Sequence, residues 1–283
     1  MGTDNRTGTG PNGRDTESGR TQGDFMPRAN RNFVPGLVWH ITHRCHKKEF
    51  LLKFRRDKLL WLRWALEAKL RHGLIILNYM ITSNHIHLMG MGGSREPRVR
   101  SISSGMQLMQ ARVAQQYNWR KNRRGAFWED RYHATAIECG AQFVNCLTYI
   151  DMNMARAGVV RHPGEWPYCG YDELLRPDVR PRSKLVDSSV LMSLVGARDL
   201  ASLSRMRSEW IEQAIQKGRV KREPMWTESV AVGSEEFLQK IRAELGSKVK
   251  AAEIVREGDG LILRRKRQTY LCGFGGKNDE NKP

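Results

Sequence analysis

The spacing of apolar positions changes period several times between Leu37 and Ala157, and each change marks an element. Leu37 to Thr42 (LVWHIT) reads as a strand, with His40 and Thr42 on one face and Trp39 and Ile41 on the other. Asp57 to His72 carries Leu59, Leu62, Leu66 and Leu70 at helical spacing and stops at Gly73. Leu74 to Ile81 and His85 to Met91 read as two strands joined by a turn at Thr82, Ser83 and Asn84, a hairpin. A loop over Gly92 to Pro97 leads to a second helix over Val99 to Trp119, and Arg131 to Glu138 (RYHATAIE) has the β-branched and aromatic content of a fourth strand. Ala141 to Ala157 forms a third helix. Up to residue 138 the order is strand, helix, strand, strand, helix, strand. That order predicts an α+β fold, a ferredoxin-like antiparallel sheet with helices packed on one face.

The flanks have a different texture. Residues 1–25 hold almost nothing apolar and are expected to be a disordered tail, with Met26 as an alternative start of translation. Arg176 to Arg182 is rich in Pro and Arg, and residues 176–186 are expected to be a linker. Residues 187–260 are expected to form a mainly helical extension. Helical stretches over 187–217 and 234–256 are predicted, the second broken near Leu245, Gly246 and Ser247 as a helix-turn-helix. Residues 261–283, with Arg264, Arg265, Lys266 and Arg267, read as a basic tail.

The third helix carries the first chemical signal. Phe143, Leu147, Ile150 and Met154 make its apolar stripe, whereas Tyr149 aligns with Asn145 and Asn153 on a polar face that also holds Arg156. Such a tyrosine is either a packing residue with a wet hydroxyl or a nucleophile. The second signal is His85-Ile86-His87. A strand places both imidazoles on one face, either as solvent-facing histidines or as a pair able to chelate a divalent cation. With the amide oxygen of Asn153 they could hold Mg²⁺ or Mn²⁺, a Lewis acid for a phosphate oxygen. A phenol with a free pKa near ~10 needs such help to attack phosphorus and form a phosphotyrosine link.

Charge narrows the partner. The chain has 48 Lys and Arg against 30 Asp and Glu, a formal net charge of +18, which favours a polyanion. No run of 18 apolar residues predicts a membrane span, and no apolar segment near the start reads as a secretory signal. The 5 cysteines are scattered and form no C-x-x-C pair, as expected of reduced thiols in the cytoplasm. Nucleic acid is therefore the expected partner. The basic run Arg120, Lys121, Arg123 and Arg124 reads as a phosphate contact or as a solvated loop. Trp128 and Arg131 read as a base-stacking and phosphate-holding pair or as a buried indole beside a local ion pair. Arg44 and Arg156 complete the set of expected DNA contacts. His40, His43, Cys45 and His46 cluster in sequence, but match no closed zinc spacing, and His40 and His43 fall on opposite strand faces. His40 is instead a candidate for lining the site.

Five segments occur in an order that resembles a known family: PGLVWHITHR, NYMITSNHIHLM, FWEDRYHATAI, YIDMNMARAGVV and EWPYCGYDEL. Over residues 26–175 the chain is similar to the single-tyrosine transposases of the HUH endonuclease superfamily, of the REP-associated type. The resemblance implies a ferredoxin-like core, Tyr149 as nucleophile, and His85, His87 and Asn153 as metal ligands. It further implies a single-stranded DNA substrate, often a hairpin from a palindromic repeat, handled by a monomer or a homodimer. Two positions depart from the family pattern. Asn153 is followed by Met154 where the family has proline, so the helix is expected to run on. Arg44 is followed by Cys45-His46 where the family has Gly-Asn. Three alternatives stand beside this reading: a replication initiator or relaxase, a non-catalytic DNA-binding protein that retains the fold, and an RNA-binding protein.

Overall fold

The computed structural model describes residues 33–93, 101–176, 178, 184–218, 221–249, 251–258 and 260–265. The expected N-terminal tail and Met26, most of the expected linker, and the part of the expected basic tail beyond Arg265 lie outside the described residues, whereas residues 261–265 of that expected tail lie in a strand. The chain runs β1 (Val38–Arg44), α1 (Arg55–His72), β2 (Leu74–Ile81), β3 (His85–Gly92), α2 (Ser101–Arg120), β4 (His133–Ile137), α3 (Ala141–Asp151) and α4 (Asn153–Arg156). It continues through α5 (Gly170–Leu175), α6 (Ser188–Val195), α7 (Leu200–Gln216), α8 (Met225–Glu228), β5 (Ala231–Gly233), α9 (Glu235–Leu245), β6 (Ala252–Glu257) and β7 (Gly260–Arg265).

The first four strands lie in the order β2-β3-β1-β4, all antiparallel, which is the ferredoxin-like arrangement expected from the sequence. β5 then pairs parallel to β4, and β7 and β6 follow, so the sheet has 7 strands among the described residues. The expected second helix after Leu245 is strand β6. Its Ala252 to Glu257 segment reaches across a tight turn to pair with β7, from Glu257 opposite Gly260 to Ala252 opposite Arg265. Charged residues at every second or third place gave that stretch a helical look. Tertiary pairing with the apolar GLIL of β7 decides the other way. No helix among the described residues is long and apolar enough to cross a membrane.

Helix α1 is rotated from the face its leucines predict. Leu59 and Leu70 are exposed, and Trp61, Leu62, Trp64, Ala65 and Ala68 are buried. Small side chains explain the choice: a Cβ on Gly105 of α2 would lie 3.5 Å from the Ala68 Cβ, so α1 and α2 approach closely along their alanine and glycine positions. The strands also meet tightly at Gly90, where a Cβ would lie 2.5 Å from the Ile75 carbonyl oxygen. Gly90→Ala is expected to cost about 1–3 kcal/mol of stability in urea denaturation, as overpacking does elsewhere.

The two sheet faces differ in chemistry. Register pairs Thr42 with His87, Arg44 with His85, His40 with Met89 and with Thr135, and Asn78 with Met89. Paired residues share a face, so Arg44, Thr42, His40, His85, His87, Thr135 and Asn78 all project to one side. A register shift between Ile76 and Asn78 brings Asn78 onto that side. There Asn78 donates to Asp151 of α3 (2.9 Å), the Trp226 carbonyl of α8 accepts from His40, and Thr135 donates to the carbonyl of Ser229 at the end of α8 (2.8 Å), so α3 and α8 cover this polar face. On the other side His43 stacks on Trp128 at 4.1 Å, and the Trp128 indole donates to Gln110 of α2 (3.1 Å). The ferredoxin-like helices α1 and α2 thus share one face, and the helix with the candidate nucleophile covers the opposite one.

Candidate active site

Strand β3 delivers His85 and His87 to the polar face by simple alternation, and helix α3 lies across that face. The apolar stripe Phe143, Leu147, Ile150 and Met154 is buried as its spacing predicts. Met152 alone separates α3 from α4, and the hydrogen bonds run through it: Met152 N–H to Thr148 O (2.9 Å) and Arg156 N–H to Met152 O (2.8 Å). The chain therefore stays helical enough for Asn153 to sit one turn beyond Tyr149, although α3 itself ends at Asp151 rather than running on to Ala157.

The four residues singled out by sequence meet. Asn153 Nδ2 lies 2.9 Å from His87 Nε2. The rings of His85 and His87 are 5.0 Å apart, and the Tyr149 ring is 6.1 Å from His87 and 6.2 Å from His40. His85 donates from Nδ1 to Asn84 Oδ1 (2.7 Å) and also lies 2.9 Å from Thr82 Oγ1. Asn84 Nδ2 donates to the Lys48 carbonyl at 3.2 Å, which fixes that amide with its oxygen towards His85. The Nδ1–H of His85 is thereby committed, and its Nε2 carries the lone pair.

Burial dominates the electrostatics. It lowers His40 to about 3 and His85 to about 4, Arg44 and Arg156 adding to the effect on His85. It holds His87 well below the ordinary imidazole range, with His85 and His40 adding to the shift. All three rings are neutral near pH 7, the state that a metal ligand requires. Burial raises the Tyr149 phenol, and Arg156 opposes that rise from directly over the ring, 3.9 Å from its centroid. Arg156 also donates to the Tyr149 carbonyl (2.8 Å).

Among the described residues, no three His, Cys, Asp or Glu side chains converge as a metal cluster. A cation held here would take two imidazole nitrogens and would need its third protein donor from an amide. Asn153 would be the residue to supply it, because its amide carries an oxygen beside the nitrogen that now meets His87. Two imidazoles and an amide oxygen fit Mn²⁺ better than Mg²⁺, which favours all-oxygen shells.

The sequence-predicted DNA contacts divide into two groups. Arg44 faces the site beside His85 and lies 3.6 Å from Glu129, and Arg156 stacks on Tyr149. Arg120 closes α2, Lys121, Arg123 and Arg124 follow it, and Trp128 packs against it. Arg120 pairs with the buried Asp57, tying α2 to α1, and Arg123 lies 3.6 Å from Glu49 and donates to Ala126 O at 3.0 Å. Lys121 rests over the exposed Phe54 ring at 5.6 Å, and Arg124 and Arg131 are exposed. Trp128 is half-buried against His43, which occupies one face of its indole.

Sequence reasoning missed the C-terminal contribution. Trp226 packs 6.2 Å from the Tyr149 ring, and Arg222 and Glu223 act electrostatically on Tyr149. A cavity of about 300 Å³ opens here, lined by Asn145, Arg222, Trp226 and the Gly258 turn among others. Nothing local in REPMWTESV signals this role, since it arises when β5 docks beside β4. Tyr149 itself, expected on a polar face, is 5% exposed because α8 lies over it.

No family model and no curated protein matches the chain. Among solved structures, a REP-associated tyrosine transposase bound to a REP hairpin aligns over 53% of this chain and 86% of its own, at 16% identity and a TM-score of 0.44. A candidate transposase from Deinococcus radiodurans R1 aligns over 39% of this chain and 86% of its own, at 12% identity and a TM-score of 0.30.

Proposed function

We propose that the protein nicks and rejoins single-stranded DNA, hairpin DNA in particular, through a 5′-phosphotyrosine link on Tyr149. The observation that carries the reading is the meeting of His87 Nε2 and Asn153 at 2.9 Å, one helical turn from Tyr149 and with His85 on the same face. A buried face holding neutral imidazoles, an amide and a phenol beneath an arginine has a chemical use that packing alone does not require.

His85, His87 and Asn153 would hold a divalent cation, Mn²⁺ or Mg²⁺. Such an ion supplies Lewis-acid polarisation of a non-bridging phosphate oxygen. The Tyr149 oxygen attacks phosphorus, the P–O bond to the 3′ oxygen breaks, and over the step the phenol proton passes to that 3′ oxygen, which leaves as a hydroxyl. Arg156, over the ring, stabilises the phenolate as it forms. Arg44, beside His85, would hold a flanking phosphate. The reverse attack by a 3′ hydroxyl on the phosphotyrosine rejoins strands without an outside energy source. The +18 charge supplies affinity for the backbone.

The test is a cleavage assay on labelled single-stranded hairpins with Mn²⁺ or Mg²⁺. Wild type is expected to form a covalent adduct, more with Mn²⁺. His85→Ala is expected to lose adduct formation by about 10²-fold or more, with DNA affinity changed by less than about threefold, because the basic surface is untouched. DNA binding with no adduct on any hairpin, in either metal, would point instead to a non-catalytic binding protein.

A further inference from the structure

One line of hydrogen bonds crosses the polar face and has a single possible polarity. It begins at the Trp226 carbonyl, which can only accept. His40 Nδ1 lies 2.8 Å from that oxygen, so the His40 proton is on Nδ1. The neutral ring then has a lone pair at Nε2, and His87 Nδ1 lies 2.9 Å from it. His87 must donate there, so its own proton is on Nδ1 and its lone pair is on Nε2. Asn153 Nδ2, at 2.9 Å, donates to that lone pair. All members of the line are held in place: His40 is 0% exposed and His87 3% exposed.

From this geometry we infer that His40 is a positioning residue. Through the Trp226 carbonyl it holds His87 as the Nδ1–H tautomer and turns the His87 Nε2 lone pair towards Asn153. A free imidazole prefers the opposite tautomer, which would put a proton where a metal ligand needs a lone pair. His85 reaches the same tautomer by a separate route, through Asn84. The consequence for domain organisation is direct. The segment around α8 lies 186 residues from His40 in sequence and is part of the site, because its backbone sets the direction of the line. The role of the lone pair as a metal ligand rests on the function proposed above, whereas the tautomer does not.

The experiment uses the full chain labelled with ¹⁵N-histidine and freed of metal, read by two-bond ¹H–¹⁵N correlation. His87 is expected as the Nδ1–H tautomer in wild type. In His40→Phe, which keeps a ring but no acceptor, His87 is expected to move to the Nε2–H form, and Mn²⁺ affinity, read by electron paramagnetic resonance titration, to fall by about 10–100-fold. His40→Gln is expected to recover most of the affinity, because its amide oxygen can accept from His87 Nδ1–H. An Nε2–H His87 in wild type overturns the inference, and that reading decides even if His40→Phe does not fold. A folded His40→Phe with wild-type Mn²⁺ affinity also overturns it. Should wild-type His87 be Nδ1–H while no Mn²⁺ binds, the metal-dependent function falls and the positioning of His87 by His40 stands.

Discussion

Tyr149→Phe is expected to abolish the covalent DNA adduct and reduce nicking by at least about 10³-fold, since a lost nucleophile leaves only binding and electrostatic effects. The fold should be indifferent. The contacts of the ring with Arg156 (3.9 Å) and Trp226 (6.2 Å) survive in phenylalanine, although the side-chain hydrogen bond between Arg156 and Tyr149 is lost. The measurement is denaturing electrophoresis of protein incubated with labelled hairpin DNA and Mn²⁺, beside a thermal melt. Tyr132→Phe is the control. Tyr132 is also buried, but its ring lies 6.3 Å from His43 on the opposite sheet face, so adduct formation should persist. An adduct that survives Tyr149→Phe and disappears with Tyr132→Phe would move the nucleophile to that face.

Arg207→Met is expected to lower stability by about 3–5 kcal/mol, the usual result of stranding one member of a buried ion pair. Arg207 of α7 is 1% exposed and its Nη2 donates to Asp151 Oδ2 at 2.6 Å, while Asn78 holds Asp151 Oδ1 at 2.9 Å. Burial raises the Asp151 carboxyl despite the pull of Arg207, a sign that desolvation is the larger effect here. Without the guanidinium that cost stands uncompensated. Urea denaturation monitored by tryptophan fluorescence reads the loss. The double variant Asp151→Leu with Arg207→Met should regain most of it, and a single-variant loss under about 1 kcal/mol would show that the pair is dispensable. Because Asp151 lies between Tyr149 and Asn153 on one helical stretch, this pair also anchors the candidate site from behind.

Local patterns were enough for much of this protein. Strand order through residue 138 followed from changes of period, and the ferredoxin-like sheet β2-β3-β1-β4 follows that order. Two-residue periodicity placed His85 and His87 on one face, and helical spacing placed Asn153 a turn from Tyr149, because both relations depend only on backbone geometry within one element. The apolar stripe of α3 was legible for the same reason. Where a side chain had several candidate neighbours, local pattern failed. The buried face of α1 turned on close approach at Ala68 and Gly105, which outweighed the leucines at Leu59 and Leu70. Arg120 and Arg123 looked like free cations in a basic run, yet each has a carboxylate partner on a segment more than 60 residues earlier.

What the sequence by itself determined is the set of reactive groups and their register within strand and helix. Only the tertiary structure decided how those groups are held. A hydrogen-bond direction depends on both partners, and the partner of His40 is a backbone carbonyl at Trp226, which any residue could supply and no side-chain pattern announces. The docking of β5 beside β4 brings that carbonyl to the polar face and places Trp226 over Tyr149, and pairing with β7 turns residues 252–257 into a strand. The chemistry was written locally; its orientation came from contacts between distant segments, because burial and pairing are properties of the assembled fold.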